Sequence, residues 1–135
     1  MTHRPFAVTL LLCIALGSPG VARADDSASQ TLPQRLVSVA ARAYAGAELR
    51  WKAGAATADA VGQWSVRWLD AQRDLPLTGK ALTAAVDEHL KRMQALEAGV
   101  KQQFNAGTAT SLDADSAAFF RAQAELWSAR AHGKE

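Results

Sequence analysis

The sequence predicts an all-α protein of four helices, arranged as two repeated antiparallel hairpins. Apolar residues recur at spacings of three and four, which is the period of one helix face. No segment alternates apolar and polar residues with period two, so we expect no strand. Gly, Pro and Thr residues divide the periodic part of the chain into four segments. Such helices would pack as an up-down bundle or as a pair of elongated hairpins.

The first 24 residues have the features of a cleaved signal peptide. A basic start precedes an apolar run at 6–16, and Ala22 and Ala24 provide the small residues that signal peptidase accepts. Cleavage is therefore predicted before Asp25. The apolar run is too short to span a bilayer, which needs about 20 residues. A retained membrane anchor is the alternative interpretation.

Removal of this segment changes the charge and cysteine content of the chain. Cys13 is its single cysteine, and leucines rather than small residues precede it, so lipidation there is a second alternative. The full chain has 15 basic and 13 acidic residues. Without Arg4 and Arg23 the two signs balance, which gives no basic excess for nucleic acid. We also expect no stable membrane span in the mature chain.

The first hairpin is predicted at about 32–75. Thr31 caps its first helix and Gly54 ends it, while Thr57 caps the second helix with Asp59 in its first turn. The polar residues 25–31 before it are expected to form a disordered tail. The two apolar stripes are Leu36, Val37, Ala40, Ala43, Tyr44, Ala47 and Trp51, then Val61, Trp64, Trp68 and Leu75.

The second hairpin is predicted at about 80–131. Thr78 caps its first helix, Gly107 ends it, and Thr110 with Asp113 forms a capping box at the start of the last helix. The two apolar stripes are Leu82, Val86, Leu90, Met93, Leu96, Val100 and Phe104, then Leu112, Phe119, Phe120, Leu126 and Trp127.

The two hairpins repeat one turn sequence at an offset of 53 residues. Trp51–Thr57 and Phe104–Thr110 share the pattern aromatic-x-Ala-Gly-x-Ala-Thr. In an antiparallel arrangement both turns lie at the same end of the molecule. We call these turns the tips and regard six of their residues as candidate partner contacts: Gly54, Thr57, Asp59, Gly107, Thr110 and Asp113.

The tip segments resemble a known repeat. Gln102–Asp113 is similar to the helix-turn-helix repeat of TolC-like outer-membrane efflux proteins, in which an aromatic residue, a glycine, a Ser/Thr and an Asp occur at this spacing. Trp51–Asp59 resembles the other copy, and Leu69–Leu75 resembles the family's Leu-Asp-Ala-Gln segment. The resemblance implies a periplasmic helical hairpin, without the barrel, whose ends meet periplasmic adaptor proteins.

Catalytic and metal-binding signatures are not found in the sequence. His89 and His132 fall on different helices, and neither has a ligand at metal-binding spacing. We expect His89 to be solvated on a helix surface and Glu88 to pair with Arg92 four residues on. No nucleophile elbow, P-loop or dinucleotide fingerprint is present. We therefore assign no catalytic residue, metal ligand or cofactor.

The aromatic residues have two interpretations. The favoured one is an aromatic core that offsets the small size of the many alanines. The alternative is that the four tryptophans line a ligand groove. The predicted aromatic core is Trp51, Trp64, Trp68, Phe104, Phe119, Phe120 and Trp127.

These observations favour a non-catalytic exported protein, located in the periplasm or cell envelope. Its expected role is protein–protein interaction or scaffolding, through a protein partner or self-association. The alternative function is a helical bundle that binds a small ligand or a metal, through its tryptophans and His89.

Overall fold

The computed structural model describes residues 30–134, and its regular structure is entirely helical. The predicted signal peptide and most of the predicted tail lie outside these residues. The four helices are α1 (Leu32–Lys52), α2 (Ala58–Arg73), α3 (Gly79–Asn105) and α4 (Ser111–Ala131). The all-α prediction is confirmed. None of these helices is long and apolar enough to cross a bilayer.

Threonine side chains start all four helices, as the sequence predicts. The hydroxyls of Thr31, Thr57, Thr78 and Thr110 each accept the backbone N–H three residues later. The predicted capping box also forms. The Thr110 N–H donates to Asp113 Oδ2 at 2.9 Å, and the Asp113 N–H donates to Thr110 Oγ1 at 3.2 Å.

The two tips have the same backbone geometry. Gly54 and Gly107 both have φ of 72°, in the left-handed region that favours glycine. The Gly54 N–H donates to the Trp51 carbonyl and the Gly107 N–H to the Phe104 carbonyl, each at 2.9 Å. In both turns the next N–H bonds the carbonyl five residues back at 2.8 Å, which completes a Schellman motif.

Helix α2 is the centre of the packing. It contacts α1, α3 and α4, and α3 also packs along α4. No Cα atom of α1 lies within 8 Å of one in α3 or α4. Gly62 permits the close approach of α4, because a Cβ there would overlap the Phe120 ring. The antiparallel hairpins are therefore joined mainly through α2, which is the one helix whose backbone approaches that of α1 closely.

The aromatic residues divide into three groups. Trp51 and Phe120 are buried, whereas Phe104 and Phe119 are 47% and 61% exposed and lie outside the core, contrary to expectation. The half-buried residues are Trp64, Trp68 and Trp127.

Helix register explains the two exposed phenylalanines. The buried positions of α3 are 85, 86, 89, 93, 96 and 100. From 86 onwards they alternate by three and four residues, and this four-three alternation continues to 103 rather than 104. In α4 the buried positions are 117, 120 and 124, so Phe119 is one residue out of register. Alanine fills two of those three positions.

Candidate functional site

The tips lie together, but their carboxylates are engaged within the chain. Asp59 accepts hydrogen bonds from Gln63 at 2.6 Å and from Ser116 at 3.3 Å. Asp113 accepts from the side chain and backbone of Thr110, and these bonds lower its pKa. Both turns contribute to one cavity of about 370 Å³. Its lining includes Trp51, Gly54, Thr57, Gln103, Thr108 and Asp113.

His89 is fully buried, so the expectation that it would be solvated is wrong. It occupies an inward position of α3, and its Nδ1 lies 2.9 Å from Ser65 Oγ, which is also fully buried. Its ring lies 5.5 Å from that of Trp127 on α4. Burial, together with the positive charges of Arg92 and Arg73, lowers the pKa of His89 from 6.5 to about 4. The imidazole is therefore neutral at pH 7.

Arg92 does not pair with Glu88, contrary to the sequence prediction. Glu88 instead accepts from Lys91 at 2.6 Å, and Arg92 turns towards α2. There Arg92 Nε donates to Ser65 Oγ at 2.8 Å. Because Ser65 Oγ already accepts this bond, its hydroxyl proton is available to His89 Nδ1.

Two aromatic rings surround the guanidinium of Arg92. It lies 4.2 Å from the Trp68 ring centre and 5.5 Å from that of Tyr44. These two rings are themselves 5.7 Å apart. Burial lowers the pKa of Arg92 and raises that of Tyr44. Tyr44, Ser65 and Arg92 are not among the site residues predicted from the sequence.

A groove between α1 and α3 contains this arginine. Trp51 bridges the groove at the tip end, where its Cη2 lies 2.6 Å from the position of a Cβ built on Gly99. Two cavities of about 380 Å³ each lie along the groove, and Arg92 lines both. The first cavity is nearer the tips and also includes Tyr44, Trp51, Val61 and Leu96. The second includes Val37, Trp68, Gln72, Leu75, Leu77 and Ala81.

The buried Ser65–His89 pair is closed to solvent. Both side chains have 0% exposure, so a substrate carbonyl has no route to Ser65 Oγ in this conformation. The second histidine, His132, lies 3.0 Å from Asp87 at the opposite end of the molecule from the tips. Among residues 30–134, no group of three or more His, Cys, Asp or Glu side chains is placed to hold a metal ion.

Comparison with known proteins finds no matching family model, no matching curated protein and no matching solved structure. The resemblance to TolC-like hairpins therefore stays a prediction from the sequence.

Proposed function

We propose that this chain is an exported, non-catalytic interaction module whose contact surface is the α1–α4 side of the bundle. The observation that supports this proposal is a pair of exposed apolar rows on two helices that do not touch. The rows are Leu32, Leu36 and Val39 on α1, and Leu112, Phe119 and Leu126 on α4. We call this surface the open side.

The α1 row is continuous along the helix. Leu32, Leu36 and Val39 are 77%, 50% and 49% exposed, and their spacing of four and three places them on one line. Gly46 continues that line, and the space around a Cβ built there is empty to 4 Å. Exposed apolar residues scattered singly are ordinary, whereas a row of them marks a contact surface.

The α4 row repeats every seven residues. Leu112, Phe119 and Leu126 are 75%, 61% and 41% exposed. A spacing of seven keeps side chains on one side of a helix, as at the seam of a coiled coil.

A closed four-helix bundle would bury the two rows against each other, because its first and last helices are adjacent. Here the backbone of α1 lies within 8 Å only of α2, its side chains Tyr44 and Trp51 reach α3, and no Cα atom of α1 approaches α4 within 8 Å. Each row consequently lacks an apolar neighbour. The surface that fits them is another amphipathic helix, and a second copy of the chain offers two. We therefore assign the contact to self-association through a two-fold axis.

Self-association is measured by sedimentation equilibrium of the purified chain up to about 100 µM. The double variant Leu36→Gln/Val39→Gln and the single variant Phe119→Gln are expected to weaken the dimer by about tenfold or more, because apolar anchors dominate such contacts. Leu49→Gln is the matched control. Leu49 is 70% exposed on α1 but lies about a quarter-turn from the row.

A chain that is monomeric over the whole concentration range refutes self-association. Equal weakening by Leu49→Gln and by the row variants refutes the assigned surface. Circular dichroism checks that every variant remains helical.

Export is a separate part of the proposal and rests on residues 1–24. Intact mass measurement of the chain recovered from the cell envelope is expected to give a species that begins at Asp25. Recovery of the full-length chain from the cytosol contradicts export.

The tip contact implied by the TolC-like resemblance also needs its own test. Valine at Gly54 or Gly107 strains a left-handed backbone position. Those variants therefore do not separate a folding defect from a loss of binding. Arginine at exposed Ala55 or Thr108 changes the tip surface and keeps both glycines. If partner capture is unchanged by both arginine variants, the tips are not the contact.

A further inference from the structure

The groove between α1 and α3 lies on the other side of α1 from the open side. Val37, Tyr44 and Glu48 line the groove cavities, whereas Leu36 and Val39 lie on the opposite side of the α1–α2 contact. A ligand in the groove therefore leaves the open side uncovered. The two surfaces are independent and can be tested separately.

The central charge of the groove, Arg92, has no bonded counter-ion among the described residues, and Glu88 stabilises its charged form only at longer range. Within residues 30–134 no carboxylate is ion-paired with Arg92. Its Nε is satisfied by Ser65, but its Nη2 is buried and has no hydrogen-bond partner. Burial of a cation with an unsatisfied N–H costs free energy unless an anion pairs with it.

A second polar group in the groove is also unsatisfied. The Oε1 atom of Gln72 is buried without a hydrogen-bond partner, and Gln72 lines the second cavity beside Arg92. Because Oε1 is an acceptor, it offers no bond to an ionised carboxylate, and Arg92 is the group that would hold the anion. The remaining wall of that cavity is mainly apolar and includes Val37, Leu75 and Leu77, and Glu88 is the one acidic residue in its lining. An apolar cavity with a few convergent polar groups is the usual form of a small-molecule site.

We propose that the second cavity binds an anionic amphiphile, a carboxylate on a flexible apolar chain, with its carboxylate on Arg92. The carboxylate accepts a charge-assisted hydrogen bond from the guanidinium, with the side chains that cover Nη2 shifting to expose it, and supplies a counter-charge. The apolar chain lies between α1 and α3 against Trp68 and the aliphatic wall. Trp68 and Tyr44 hold the guanidinium in place, so little side-chain entropy is lost on binding.

Charge complementarity identifies the carboxylate end of this ligand. A neutral alcohol of the same length fills the same apolar space but leaves Arg92 without a counter-ion. An alkylammonium adds a second positive charge beside the guanidinium, which Glu88 offsets only in part, and is expected to bind more weakly than the carboxylate.

The test uses decanoate, decanol and decyltrimethylammonium with the purified full chain. Binding is measured by calorimetry, and the indole N–H signals of the tryptophans report its position. Arg92→Gln removes the charge, and Ala81→Phe fills the second cavity. Ala95→Phe is the matched control, because Ala95 is also an exposed α3 residue and lines only the first cavity.

Decanoate is expected to bind saturably at one site and to shift the Trp68 indole signal but not that of Trp64. Arg92→Gln and substitution of decanol are each expected to weaken binding about 10- to 100-fold, the range for loss of a hydrogen bond to a charged group. Ala81→Phe is expected to abolish binding, and Ala95→Phe is expected to leave it unchanged.

Equal binding of decanoate and decanol overturns the proposal, and so does the absence of saturable decanoate binding. If Ala95→Phe abolishes decanoate binding and Ala81→Phe does not, the ligand does not bind in the second cavity. If Arg92→Gln does not fold, the comparison of the three ligands on the unmodified chain and the two phenylalanine variants still decides the matter. None of these results depends on self-association, so failure here is distinct from failure of the interaction proposal.

Discussion

The fully buried, neutral His89 makes the fold sensitive to mild acid. Its Nδ1 is bonded to Ser65, and the charged groups nearest to it are Arg92 on its own helix and Arg73 on α2. Burial and these two cations lower its pKa from 6.5 to about 4. Protonation of His89 in the folded state would place a positive charge in the core beside these two arginines.

The sign of the effect follows from the two pKa values. Between about pH 6.5 and pH 4 the unfolded chain holds a proton on this histidine and the folded chain does not, so acid favours unfolding. The stability that depends on a neutral His89 is fully present above pH 6.5 and is lost as the pH falls towards 4. The difference between the two pKa values corresponds to about 3 kcal/mol. That is a large part of the stability of a small domain.

Urea denaturation at a series of pH values from 7.5 to 4 measures this loss. We expect the free energy of unfolding to fall by about 3 kcal/mol in the unmodified chain and to stay nearly flat in His89→Leu. His132→Ala, which removes the other described histidine, is the control and should retain the fall. Asp87 and Asp113 have lowered pKa values, so their stabilisation is lost only below about pH 3.8.

A loss below about 1 kcal/mol in the unmodified chain refutes a neutral buried imidazole. So does a His89→Leu variant with an undiminished loss.

Further predictions concern two matched glycines of the repeated hairpins and the cap of α4. Gly46→Ala is expected to raise the free energy of unfolding by about 0.5–1 kcal/mol, because the site is helical and open. Gly99→Ala, the equivalent change in the second hairpin, is expected to lower it by about 1–3 kcal/mol, because the new Cβ collides with Trp51. Equal effects in thermal denaturation contradict this account. Thr110→Ala removes the cap of α4 and is expected to cost about 1 kcal/mol. If Asp113→Ala in the same assay costs nothing, the capping box has no energetic role.

Helix limits were predictable because their causes are local. Each threonine cap bonds an N–H three residues away, and a left-handed glycine ends a helix through bonds to the preceding turn. The predictions at Thr57, Gly54 and Thr110 therefore needed no knowledge of the tertiary structure.

The inward positions were harder to predict, because polar residues occupy some of them. In α3 the four-three alternation passes through His89 and leads to Gln103, whereas the apolar residues Leu90 and Phe104 each lie one position later. An apolar stripe drawn through Leu90 and Phe104 therefore placed His89 on the surface. The alternation was the sequence signal for an inward His89, and the prediction did not use it.

The groove was not predictable from the sequence, because it depends on the separation of α1 and α3. Nothing local distinguishes Arg92 from an ordinary helix-surface arginine four residues after Glu88. Its environment comes from Ser65 and Trp68 on α2 and from Tyr44 on α1. The sequence offered a tryptophan-lined groove as an alternative, without its position or charge.

The close backbone approach of α1 to α2 alone has a consequence for hydrogen exchange. Elements held by few contacts open separately from the rest of a domain, at a lower free energy than global unfolding. Opening of α1 would remove Trp51 from the core and leave α2, α3 and α4 packed around Val61, Met93 and Phe120. Its amide protons should therefore exchange with deuterium sooner than those of α3. Each such opening removes one wall of the groove and so increases the exposure of Arg92, which is half-buried in the closed structure.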